Sequence, residues 1–130
     1  MKIEVHKTDD RGNVITLMET LRVCFREKKF VVPKRFESDG VSTPKFLWGI
    51  ISPAIDPRTL RAGITHDYIY RTQPNGWSRA EADLMFLCYL IEDGLSLRKA
   101  LWAYIGVRYL GGSRAWKNNT KMKLEAVSDC

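Results

Sequence analysis

The residues best equipped for chemistry stand close together in the middle of the chain. His66, one of only two histidines, is followed at once by Asp67, and Tyr70 comes one helical turn later. After a Pro-Asn-Gly turn, a second helical pattern carries Asp83 among apolar residues. Residues three and four apart share a helix face, so His66 and Tyr70 lie on one side with Asp67 beside them. In the second segment Ala80, Asp83, Leu84, Leu87, Leu90 and Ile91 form one stripe, which makes Asp83 a carboxylate on an apolar face. Such a group is costly to bury unless it is paired. The intervening turn is short enough to fold the two helices antiparallel, so His66 and Asp83 can meet across their interface. A histidine held by an aspartate is the working unit of a general base. Arg108, on an apolar stripe of the last helix (Leu97, Leu101, Tyr104, Ile105), is a further partner for Asp83 or Asp67.

A polar loop upstream could complete the same site. Ser38, Asp39 and Gly40, with Ser42 and Thr43, offer a carboxylate, hydroxyls and close backbone approach. Asp67 and Asp39 are the side chains that could hold a hard cation. No cofactor is specified by the sequence, and a divalent ion such as calcium is the kind these carboxylates would take. The alternative is a structural polar network: Asp67 pairing with Arg71 or Arg108, and Asp83 accepting a tyrosine hydroxyl.

The elements that must position these groups read as an α+β domain. Residues 2–6 alternate as a strand, Asp10-Arg11-Gly12-Asn13 is a turn, Val14 to Phe25 is extended, Glu27-Lys28-Lys29 turns, and Phe30-Val31-Val32 resumes. A small antiparallel N-terminal sheet should therefore pack against three or four helices. Pro33 to Thr43 reads as loop. Ser42-Thr43-Pro44 starts a short apolar helix to Ile51, and Asp56-Pro57 starts the helix of His66. Ser78 with Glu81 forms a capping box ahead of the Asp83 helix, and Gly94 and Ser96 separate it from the last helix. Gly111-Gly112 ends that helix. The expected organisation is one domain over residues 1–112 and a polar C-terminal arm over 113–130.

Composition narrows the classes. The 130 residues can bury a core without disulfides or metal. No apolar run is long enough to span a bilayer, and the N-terminus MKIEVHKTDD does not read as a signal peptide. Cys24, Cys88 and Cys130 lack metal-type spacing and read as reduced thiols, and His6 has no ligand set around it. The net charge of +6 is scattered, so the nucleic-acid signal is weak. Phosphate loop, dinucleotide fingerprint and serine elbow are all missing.

Four stretches in order, Phe30-Val31-Val32-Pro33, Phe36 to Pro44 (FESDGVSTP), Ala62 to Tyr70 (AGITHDYIY) and Ser78 to Phe86 (SRAEADLMF), resemble the phage and prophage family known as domain of unknown function 1353. The resemblance covers roughly residues 28–112. It implies a bacteriophage or prophage origin and no established activity. With the reduced thiols, that origin points to the host cytoplasm or the virion, and the candidate partners are virion or host proteins or a second copy of the chain. A more local pattern, His-Asp-x-x-Tyr on one helix and Asp-x-x-Phe on the next, is similar to secreted phospholipases A2. That similarity implies His66 as base, Asp83 as its orienting partner, Tyr70 supporting Asp83, and Asp67 as calcium ligand. The flanking cysteines of that class are not here, and only the Ser38–Gly40 loop could stand in for its calcium loop. Two functions follow: a non-catalytic phage component, or a small hydrolase using a His66–Asp83 dyad on a lipid or cell-wall substrate.

Overall fold

The computed structural model describes residues 2–8, 12–38, 57–74, 76–109 and 116–117. The chain is an α+β protein. Strands β1 (Ile3–Thr8), β2 (Gly12–Leu17) and β5 (Glu37–Ser38) form an antiparallel sheet in the order β1-β2-β5, while β3 (Leu21–Phe25) and β4 (Lys28–Val32) form a separate hairpin. Helices α1 (Pro57–Thr72), α2 (Arg79–Glu92) and α3 (Leu97–Tyr109) follow.

Strand alternation sets which side chains go inward. Ile15 and Leu17 of β2 are buried, as are Val23 of β3 and Val32 of β4. Register is continuous through β1 and β2, from Ile3 opposite Leu17 to Thr8 opposite Gly12. β5 lies inside the stretch read from sequence as loop. Two residues are too few to show a period, and Ser38 is placed by pairing with Ile15 instead. The β3–β4 turn is Arg26-Glu27, one residue before the expected polar turn, and Phe25 pairs with Lys28. Both turn residues have positive φ, 50° and 68°, the geometry of a two-residue hairpin turn that glycine and asparagine usually fill.

The helix starts follow the local chemistry. Pro57 is the first residue of α1, where its missing N–H costs nothing. Ser78 caps α2, its Oγ accepting from the Glu81 N–H at 3.2 Å. The reciprocal half of the expected capping box is not made, because the Glu81 carboxylate turns to Lys28 Nζ at 2.6 Å and ties α2 to the hairpin. Gly94, at φ 101°, closes α2, a left-handed position where a side chain would be strained.

α2 packs against α1 on one side and α3 on the other. That central place explains a correction. Its buried residues are Ala82, Asp83, Met85, Phe86, Tyr89 and Leu90, whereas Ala80 and Ile91 are exposed. The expected leucine stripe shares only Asp83 and Leu90 with this face, which has turned towards the bulkier Met85, Phe86 and Tyr89. The stripe expected on α3 is corrected too. Leu97, Leu101 and Ile105 face outward, and α3 meets α2 through Ala100, Ala103 and Gly106. Small residues let the two backbones approach closely, which a leucine face would prevent. The predicted helix after Thr43 and most of the C-terminal segment lie outside the described residues.

Candidate functional site

α1 and α2 bring His66 and Asp83 together. His66 Nε2 lies 2.7 Å from Asp83 Oδ1. The same oxygen accepts from the Tyr70 hydroxyl at 2.5 Å, and Oδ2 accepts from Arg108 Nη1 at 2.9 Å. The Asp83 side chain is wholly shielded from solvent, while that of His66 is 14% exposed. A buried carboxylate with three donors, two of them strongly polar, meets the condition for carrying charge out of water.

The helices explain this convergence. His66 and Tyr70 are one turn apart on α1, so both rings reach the same point on α2, and their centroids are 4.2 Å apart. Phe86, three residues after Asp83, presses on the other side of His66 at 4.8 Å. Arg108 comes from the last turn of α3, so the site ties all three helices together. Arg61 fixes the far end of the α1–α2 pair. It bonds Glu92 at 2.8 Å and Asp93 at 3.0 Å and stacks on Tyr89 at 3.9 Å.

The neighbours of Asp83 are perturbed accordingly. Burial raises the Tyr70 hydroxyl above its ordinary range, and the hydrogen bond to Asp83 adds to that. The Asp83 bond likewise raises the Arg108 guanidinium. Since Asp83 accepts from both, its bond to His66 places the imidazole proton on Nε2. In the neutral ring the lone pair then falls on Nδ1, which no hydrogen bond reaches among the described residues.

Other members of the predicted set fall elsewhere. Asp67 Oδ1 meets Arg71 Nε at 3.1 Å, an ion pair one turn along α1 that offsets its charge. Among the described residues no group of three His, Cys, Asp or Glu side chains could hold a metal ion. Ser38 is buried on β5, and Arg71 Nη1 donates to the Glu37 carbonyl at 2.7 Å, so this strand lies beside α1. Asp39, Gly40, Ser42 and Thr43 lie outside the described residues.

Two contributors escaped the sequence reading. Arg79 lies one turn before Asp83, its Nε 4.0 Å from Oδ2, and its Nη2 caps the end of α3 at the Val107 and Arg108 carbonyls, at 3.0 and 2.5 Å. The spacing of four from Asp83 was the available signal. Trp116 packs edge-on against Tyr70 at 5.2 Å, and its carbonyl accepts from Gln73 at 3.0 Å. Nothing near Trp116 in sequence announces that contact.

The described helices include none long and apolar enough to cross a membrane. No curated protein and no solved structure matches the chain. A family model does match, over residues 15–107, the stretch that holds the β3–β4 hairpin, the three helices up to Val107 and the His66–Asp83 pair, but not β1. With most of its length covered, the chain belongs to the family described as Protein of unknown function (DUF1353).

Proposed function

We propose that the chain is a small hydrolase in which His66 activates water. The observation that carries this reading is the asymmetry of the imidazole. Nε2 is held at 2.7 Å by a fully buried carboxylate, while Nδ1 has no partner among the described residues on a ring that solvent reaches. A carboxylate-held Nε2 with Nδ1 on the side that solvent reaches is the arrangement a general base needs. In the reaction, Nδ1 takes a proton from water as its oxygen attacks an acyl carbonyl, and Asp83 stabilises the imidazolium formed. The tetrahedral intermediate then collapses with cleavage of the C–O bond to the leaving alcohol, whose oxygen takes the proton back from Nδ1. Tyr70 and Arg108 hold Asp83 in place. Acyl esters of a lipid or cell-wall component are the substrate class this chemistry suits. Calcium has less support at Asp67, which Arg71 already neutralises.

The test is hydrolysis of a panel of acyl esters, phospholipids included, with and without calcium. Wild type should turn over at least one class, and His66→Ala should lower kcat by a factor of about 10³ or more. Activity unchanged in His66→Ala, or none on the whole panel, would sink the proposal.

The second reading is a non-catalytic phage component, of the virion or acting on a host protein. The threefold satisfaction of Asp83 supports it, because a closed polar network specifies how three helices pack whatever the chain then binds.

A further inference from the structure

α3 has two apolar faces, and among the described residues only one packs against another element. Ala100, Ala103 and Gly106 meet α2. On the opposite side Leu97, Leu101, Ile105 and Tyr109 follow one another at intervals of four, with Trp102 beside them. Their exposures are 60, 41, 40, 74 and 51%. Residues four apart are neighbours on a helix surface, so these side chains form one continuous strip. A solvent-facing helix is expected to be polar there.

The charge on this helix is one-sided. Its thirteen residues, LRKALWAYIGVRY, contain Arg98, Lys99 and Arg108 and no acid. Arg108 is committed to Asp83, but Arg98 and Lys99 are exposed. Arg98 lies within the apolar strip, and Lys99 is exposed on the first turn of the helix.

We infer that the outward face of α3 is a docking surface for an anionic lipid membrane. An apolar strip with aromatic members and two exposed cations in its first turn suits a helix lying in the headgroup region, its apolar side chains sunk about 5–10 Å. Trp102 and Tyr109 are the residue types that settle at that depth, with an apolar ring and a polar tip. A second copy of the chain fits less well. Two-fold packing of α3 on itself would offer Arg98 and Lys99 no carboxylate, because the helix contains none. This surface is independent of the chemistry of His66.

Flotation of the whole chain with vesicles tests it, comparing phosphatidylcholine alone with a mixture containing about one-third phosphatidylglycerol. The chain should float with the anionic vesicles at least tenfold better, and less so at high salt. Arg98→Gln with Lys99→Gln should lower partitioning about fivefold for each charge removed. Leu101→Asp with Ile105→Asp should abolish it while the far-ultraviolet circular dichroism stays unchanged, since both sites are on the surface. His66→Ala should float like wild type. Three results would overturn the inference. The first is no flotation with either vesicle, including the case where an acidic polypeptide captures the chain instead. The second is equal flotation with both vesicles, insensitive to the glutamine pair. The third is a lipid-free dimer that Ile105→Asp dissolves.

Discussion

At the scale of single residues, Asp83 and His66 should respond differently to substitution. Asp83 is fully shielded and meets His66, Tyr70 and Arg108 at once. Asp83→Asn keeps the shape but removes the charge and points an amide N–H₂ at one of the donors. Breaking a buried ion pair of this kind costs about 3 kcal/mol, and the melting midpoint should fall by roughly 4 °C for each kcal/mol. His66→Ala removes one of the three donors from the half-open side and should cost only about 1 kcal/mol while activity disappears. An unchanged melt for Asp83→Asn would refute the first expectation. Tyr70 gives a pH signature. Its hydroxyl is held above the ordinary value of 10.0, first by burial and then by Asp83. The neutral phenol is therefore the form that the fold favours. Its contribution is complete below about pH 10 and is lost as the pH climbs towards the raised folded value. Urea midpoints measured from pH 8 to about pH 12 should decline at the alkaline end, and Tyr70→Phe should flatten that decline while lowering the unfolding free energy throughout by about 1–3 kcal/mol. An alkaline limb identical in the two proteins would show that Tyr70 is not its source.

At the scale of elements, legibility followed local chemistry. Pro57, Ser78 and Gly94 marked helix ends because caps depend on near neighbours in sequence. The His66–Asp83 contact was legible because a short turn leaves an antiparallel helix pair few alternatives. α3 was misread because it is apolar on both sides. Choosing between Leu97-Leu101-Ile105 and Ala100-Ala103-Gly106 needs knowledge of what α2 presents, which no window of sequence contains. β5 was missed for a related reason: Glu37 and Ser38 are held by partners in β2 some twenty residues away. The hairpin turn carries a different lesson. Arg26 and Glu27 occupy left-handed conformations at φ 50° and 68° although neither residue prefers them. Replacing the pair by Asn-Gly should therefore stabilise the protein by about 1 kcal/mol, raising the midpoint by several degrees with no new contact. A loss of stability would mean that the Arg26 or Glu27 side chain contributes more than its backbone strain removes.

At the scale of the whole molecule, the β3–β4 hairpin reaches the helices through long side chains rather than close backbone packing. Trp77 is the hub. Its ring meets Phe25 at 6.2 Å and Phe30 at 5.3 Å, with Lys28 Nζ 5.5 Å above it. Around it Phe30 stacks on Tyr68 at 5.7 Å, Phe25 meets Tyr89 edge-on at 6.1 Å, and the Tyr89 hydroxyl donates to the Cys24 carbonyl at 3.3 Å. Lys28 adds its ion pair with Glu81 and a bond to the Gly76 carbonyl in the turn that precedes Trp77. The ion pair is part-exposed and adds little, so the aromatic contacts must supply most of the attachment. Trp77→Ala should then cost about 3–5 kcal/mol, the usual range for emptying a large aromatic site. The loss should also be uneven. Without its hub the hairpin can open while α1 and α2 remain joined by Asp83 and Arg61, so amide protection should fall first and furthest in β3 and β4. Lys28→Ala should lower stability by under about 1 kcal/mol and leave the exchange pattern unchanged. Native-state hydrogen exchange on both variants decides the matter. A uniform loss of protection in Trp77→Ala would mean that hairpin and helices open as one cooperative unit, and the hairpin would then be as integral to the site as the helices that carry it.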